Sequence, residues 1–213
     1  MSVDLVVAPC SHEAAKFAVM NWHYSKRMPV GKMIRIGAWE NGQYIGAVIF
    51  ARGNSPTLGD AYGVSMTEVC ELVRVALTEH KSPVSQIVAK CLKMLKQHNS
   101  GLRLVVSFAD PAEGHNGSIY QAMNWIYNGQ SEPSWQWFHD GRWKHNREVT
   151  SGAFGKSSAV PNYKVLPKRQ TLGKYRYLYP LDKAMRRQIE PLAQPYPKRA
   201  DVGEMESRAG TTD

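Results

Sequence analysis

Residues 32–50 read KMIRIGAWENGQYIGAVIF, two runs rich in β-branched and aromatic residues on either side of Asn41-Gly42. Asn-Gly accepts the two positive φ angles of a type I′ turn, whose backbone twist matches that of the strands it joins. Any fold this chain adopts must therefore contain an antiparallel pair with its register set at residues 41 and 42.

The elements around this hairpin follow from periodicity. DLVVAP near the N-terminus predicts a first strand, and Ser11 caps a helix with apolar residues at Ala14, Ala15, Ala18, Val19 and Trp22. TEVCELVRVALT, residues 67–78, predicts a long strand covered at least partly on both faces. VSQIVAKCLKMLKQH sets Val84, Ile87, Val88, Cys91, Leu92 and Leu95 on one helical stripe. LRLVVSFAD, residues 102–110, predicts another apolar strand, GSIYQAMNW a short helix and WIYNG a strand-like exit. The order β-α-β-β-β-α-β-α-β, with few helices, argues for an α+β or mixed sheet. From about residue 131 prolines and bases alternate, with one helix expected at LDKAMRRQIEPLA, and the segment from Ala200 to the end has the composition of disorder.

At 213 residues, 43% of them hydrophobic, the chain can bury one main core, and no run approaches the roughly 18 apolar residues of a spanning helix. The expectation is a soluble cytoplasmic protein without a membrane segment, and the N-terminus lacks the pattern of a secretory signal. Cys10, Cys70 and Cys91 fall at no metal or disulfide spacing, and Cys70 and Cys91 read as small buried hydrophobes. Between Arg142 and Arg199 stand fourteen basic residues against three acidic ones, +11 where the whole chain carries +9, so the rest sums to −2. With Tyr163, Tyr175, Tyr177 and Tyr179 interleaved, this third of the chain points to a polyanionic partner, nucleic acid first.

Candidate chemistry centres on SFADPAEGHNGSIYQAMNWIYNG, residues 107–129. Asp110, at a strand end beside Pro111, is either a turn-former or a general base. Ser107, inside an apolar strand, needs a hydrogen-bond partner if buried, and no GxSxG surrounds it to make a hydrolase elbow. His23 and Tyr24 end the first helix as a proton carrier beside a phenol, or as a simple cap. His23, His115 and Asp110 supply the residue types of a two-histidine, one-carboxylate iron site, although their spacing does not demand one. The SPVS turn opens the helix at Val84 and offers backbone N–H groups to a pyrophosphate, without the glycines that usually line such a cradle.

Together NWHYSKRMP, EVCELVRVALT and residues 107–129 resemble the Mom family of bacteriophage DNA-modification proteins, within the GNAT acetyltransferase superfamily, over roughly residues 20 to 130. The resemblance implies an α+β, GNAT-like, mixed and mostly antiparallel sheet flanked by helices, with a basic C-terminal extension. It implies a catalytic core over 1–140, a basic Tyr/Pro-rich extension over 141–200 that completes the fold and contacts DNA, and a tail over 201–213. The strands at 67–78 and 102–110 would splay to hold acetyl-CoA beside Arg74, Val75, Leu77, Ser82, Val84 and Ser85. The implied reaction converts adenine N6 in duplex DNA to a carbamoylmethyl form that shields phage DNA from restriction, with iron as a candidate requirement.

Matching the family's motifs singles out His23, Tyr24, Ser107, Asp110 and Tyr120 as the catalytic group: Asp110 or His23 as base, Ser107 and Tyr120 as donors to the acyl carbonyl, Arg74 as an anchor. Tyr24 or Trp125 would stack the adenine, which must flip out of the duplex. Lys168, Arg169, Lys174, Arg176, Arg186 and Arg187 would clamp the phosphates around it. A homodimer is compatible with this reading, and the site of action is the host cytoplasm. EHKSPVSQ departs from the glycine-bearing pyrophosphate loop of the superfamily, and acetyl transfer alone would give N6-acetyladenine. Two competing readings are a GNAT enzyme acetylating a small amine or protein, and a DNA-binding module on a GNAT scaffold without activity.

Overall fold

A computed structural model describes residues 3–52, 55–150, 160 and 162–198; the expected tail over 201–213 lies outside the described residues. The strands are β1 (Leu5–Pro9), β2 (Met33–Glu40), β3 (Gln43–Ala51), β4 (Val69–Leu77), β5 (Leu104–Ala109), β6 (Ile126–Gln130), β7 (Trp135–His139), β8 (Arg142–His145), β9 (Lys168–Gln170) and β10 (Tyr175–Pro180). The helices are α1 (His12–Trp22), α2 (Val84–His98), α3 (Ser118–Ala122), α4 (Asn146–Thr150) and α5 (Lys183–Ile189). The fold is of the expected α+β class.

The described residues form two compact units built from interleaved segments: those within 1–108, 117–128 and 176–195 in the first, and those within 109–116, 129–175 and 196–213 in the second. The division expected at residue 140 falls at the tip of the β7–β8 hairpin, where Asp140 and Gly141 both take positive φ.

In the first unit the strand order is β1-β2-β3-β4-β5-β10-β6. The hairpin forms as expected, with Asn41 at φ 49° and Gly42 at φ 81° pairing Glu40 with Gln43. Ser11 accepts the amide of Ala14 at 3.1 Å and starts α1, which packs Ala15, Ala18 and Val19 on Ala47, Ile49 and Ala76 of the sheet. The predicted stripe of α2 is buried at Ile87, Val88, Cys91, Leu92 and Leu95. α5 packs Met185 and Ile189 with Val69, Leu104, Val106 and Leu178.

β4 departs from a regular strand at one place. It pairs with β3 through Ile49↔Arg74 and then Phe50↔Leu72, so Val73 is an extra residue, a bulge that bends the strand. On its other side β4 pairs in parallel with β5 only from Val69 to Leu72, against Leu104 to Ser107. From Val73 to Leu77 it runs on past the end of that ladder, and the splay expected between these strands begins at this point.

Two features of the C-terminal third differ from expectation. β10 is an interior strand of the large sheet, and Tyr175 and Tyr177 are buried at 3% and 0% exposure, so they are core residues and not part of a basic surface. The second unit carries an antiparallel sheet, β8-β7-β9, in the stretch that had looked irregular.

Gly117 begins α3 at φ +77°, and a Cβ there would lie 2.2 Å from Tyr177 Cε2, whereas Gly114 at φ +71° has open space around it. Gly117→Ala adds overpacking to backbone strain and should cost about 2–4 kcal/mol in urea denaturation. Gly114→Ala carries the strain alone, about 1 kcal/mol.

Candidate functional site

Ser107 is the last residue of the parallel ladder and is 1% exposed. Its Oγ lies 2.9 Å from the carbonyl of Leu72, its ladder partner, and 2.8 Å from Tyr120 Oη. A hydroxyl has one proton, and a backbone carbonyl can only accept. Ser107 therefore donates to Leu72 and accepts from Tyr120, in a chain that runs from phenol to hydroxyl to carbonyl. Burial pushes the Tyr120 phenol up to about 12, an effect that outweighs its hydrogen bond to Ser107, so it is a proton-bearing donor at neutral pH.

Tyr120 stands within an aromatic cluster, with ring centroids 4.9 Å from Trp125 and 5.1 Å from Tyr177. Trp125 in turn lies 5.1 Å from Tyr179 and is fully buried. A base cannot stack on Trp125 without displacing this packing. Tyr24, half exposed and stacked on the His23 ring at 4.3 Å, is the aromatic surface that a base can reach.

His23 is 7% exposed, and its Nδ1 accepts the backbone N–H of Ser25 at 3.1 Å. An amide always donates, so the neutral ring carries its proton on Nε2. In this geometry His23 is a donor through Nε2 and not the proton acceptor that the sequence offered as one option.

Arg74 turns inward. Its Nε donates to the carbonyl of Arg27 at 3.1 Å and its Nη1 to that of Val73, tying the segment after α1, which carries His23 and Tyr24, to the bulge of β4. Glu71, part of the ELVR stretch but unnoticed as a site residue, is close enough for its charge to raise the proton affinity of both Tyr120 and Arg74. Glu71 pairs with Val106 while Leu72 pairs with Ser107, so Glu71 leaves the sheet on the face opposite Ser107. The alternation of β4 was visible in the sequence, but the register with β5 that sets Glu71 on the face opposite Ser107 was not.

Asp110 belongs to the second unit and has both oxygens occupied. One accepts the amide of Ala112 at 3.1 Å and caps a 3₁₀ turn, and the other pairs with Lys174 Nζ at 2.8 Å. The geometry is that of the turn-former. Among the described residues no group of three His, Cys, Asp or Glu side chains could hold a metal ion, so the set His23, His115 and Asp110 is not assembled and the residues present do not fit iron.

The fit to acetyl-CoA is divided. Val75 and Leu77 lie on the part of β4 beyond the ladder, a free strand edge suited to an extended amide-bearing chain. Val84 and Ser85 open α2 with first-turn N–H groups that have no partner within the helix. The preceding loop is already filled: Glu40, 8% exposed at the end of β2, accepts the amides of Lys81 at 2.9 Å and Ser82 at 2.6 Å. A carboxylate thus takes two donors that a diphosphate would need and sets a negative charge beside it. The loop does not fit the diphosphate of CoA.

The basic residues expected on DNA divide between the units. In the second, Lys168 lies over Trp135 at 4.8 Å, Arg169 over Trp143 at 4.5 Å, and Lys174 on Asp110. In the first, Arg176 lies over Phe108, Arg186 donates to the carbonyl of Asn124, and Arg187 is exposed.

The Lys81 amide first, then the Ser82 hydroxyl and amide, hold the Glu40 carboxyl below its ordinary value of 4.5. A depressed carboxyl stabilises the fold above that value and loses the contribution as pH falls below it. Glu40→Gln should lower Tm at pH 7 and flatten the acid-side fall in Tm, as read by thermal denaturation across pH.

The family model described as the Mom protein family matches residues 4–198. The methylcarbamoylase mom of Escherichia phage Mu is 26% identical over 208 residues, covering 92% of this chain and 85% of that protein. Among solved structures, the spermidine/spermine N-acetyltransferase SpeG of Vibrio cholerae is similar with a TM-score of 0.49 at 11% identity, over 86% of this chain and 96% of that one. An N-acetyltransferase of Staphylococcus aureus Mu50 has a TM-score of 0.48 at 12% identity, over 84% and 99%. With the family model spanning nearly the whole described chain, this protein belongs to the Mom protein family.

Proposed function

We propose that this chain modifies DNA, converting adenine N6 in a duplex to its carbamoylmethyl derivative and so protecting phage DNA from restriction. The observation that carries the reading is family membership over residues 4–198, with a relative named as a methylcarbamoylase. The site supports it in kind. Tyr120 is a phenol held protonated beside Ser107, and its one proton can be turned from Ser107 to a developing oxyanion, while Tyr24 is an accessible ring on which an extruded base can stack.

Carbon connectivity constrains the reaction. In the carbamoylmethyl product N6 is bonded to the methylene carbon and the amide is terminal, whereas acyl transfer would bond N6 to the carbonyl carbon. The bond formed is therefore N6–CH2, the bond broken joins that carbon to a leaving group that departs with the bonding pair, and the proton lost from N6 passes to water. Tyr120, turning its proton from Ser107 to the amide oxygen of the incoming group, then steadies that oxygen without itself being consumed. A donor electrophilic at the methylene carbon also accords with a loop closed to the CoA diphosphate.

The test is mass spectrometry of nucleosides from plasmid DNA in cells expressing each variant. Wild type should yield a deoxyadenosine heavier by a carbamoylmethyl group, and Tyr120→Phe should reduce it tenfold or more, the usual scale for a lost oxyanion donor. Asp110→Asn keeps the cap on Ala112 and should leave product present. Its absence with a folded Asn variant would make the carboxylate part of the chemistry. Unmodified DNA from wild type together with turnover of a small amine would replace the reading with an ordinary acetyltransferase.

A further inference from the structure

Away from Ser107, the first unit holds a cleft of about 420 Å³ between α2 and the segment from β10 into α5. Its apolar wall includes Leu92 and Tyr179, and four cations line it: Lys93 and Lys96 from α2, Lys183 and Arg186 from α5. Each pair has i,i+3 spacing, which puts both members on one side of its helix.

The charges in this cleft are uncompensated. Asp182, the acid in the lining, is committed elsewhere: it accepts the Met185 amide at 2.7 Å as the cap of α5 and pairs with Arg103 at 3.0 Å. Among the described residues no carboxylate reaches Lys93, Lys96 or Lys183. Lys96 alone would be explained by the last turn of α2, where a cation suits the helix dipole. Lys183 has no such explanation, because it is the first residue of α5, the end where the dipole disfavours a cation. Four like charges facing one cavity repel one another, and a bound polyanion removes that repulsion.

We propose that this cleft is a phosphate-binding site, with an aromatic and apolar wall for the group that carries the phosphate, and that its occupant is the DNA backbone; this rests on the reading of the protein as DNA-modifying. The cleft would hold the strand at a second place, so that affinity for the duplex does not depend on the flipped base alone. Free nucleotide phosphate is the other source of the same chemistry.

Duplex affinity of wild type and of Lys93→Ala/Lys96→Ala/Lys183→Ala, measured from about 50 to 200 mM salt, tests the proposal, since each phosphate contact contributes a slope of about −0.9 to log affinity against log salt. The three side chains are exposed and unpaired and repel one another, so the variant should have a Tm no lower than that of wild type. The expected result is a slope shallower by about 2–3. A control with equal charge loss, Lys16→Ala/Lys32→Ala/Arg52→Ala, should change the slope less. Equal slopes for wild type and the cleft variant, or an equal effect from the control, would overturn the site while leaving the DNA reading intact. If wild type does not bind duplex at all, the DNA reading and the backbone occupant fail together. Calorimetry with adenosine 3′,5′-bisphosphate then decides the site: saturable binding lost in the cleft variant retains it for a free nucleotide, and absence of binding removes it.

Discussion

The end of the parallel ladder between β4 and β5 organises the candidate site. Parallel pairing holds these strands together as far as Leu72 and Ser107, and the bulge at Val73 then bends β4 so that the two diverge. A strand that leaves its partner exposes polar groups that must be satisfied or used. The Leu72 carbonyl is satisfied by Ser107, whose hydroxyl is in turn held by Tyr120. The polar group buried at the fork and the group offered as an oxyanion donor are thus links of one hydrogen-bonded chain. The bulge also sets Arg74, which binds the segment carrying His23 and Tyr24 to the same place.

Tyr120 is positioned from behind by aromatic packing. Tyr177 on β10 is fully buried, touches Tyr120, and fits against a glycine at residue 117 that leaves no room for a Cβ. The strand that completes the sheet therefore also fixes the helix that carries the phenol. A single displaced ring at this contact would be felt at Ser107, because close-packed interiors transmit volume changes to their neighbours.

Local chemistry made much of the architecture legible. Asn41-Gly42 fixed its hairpin, Ser11 capped α1, and the stripe from Ile87 to Leu95 marked α2. β10 was missed although YRYLYP alternates buried Tyr175 and Tyr177 with a half-exposed Arg176, because the density of bases around it suggested a solvated surface. The β8-β7-β9 sheet was missed for a related reason: strands of three to five residues carry too few periods to stand out among prolines and charges. At the site, Ser107 and Tyr120 were found from motif and come into direct contact, and Asp110 was recognised as a turn-former or a base, with geometry giving the former. Glu71 and Glu40 were not found, since their significance depends on strand register and on a loop some forty residues away.

By itself, the sequence determined the strands and helices from β1 to β6, where the hairpin turns, and the family to which the chain belongs, because these depend on interactions within a few residues or on short motifs. Only the tertiary structure decided that β4 breaks its ladder at Leu72, that Glu40 fills the loop before α2, that the Ser25 amide makes His23 a donor, and that the tyrosines of β10 lie in the core. Each depends on groups whose separation in the chain or orientation in space no local pattern encodes, and on a buried polar atom's need for a partner.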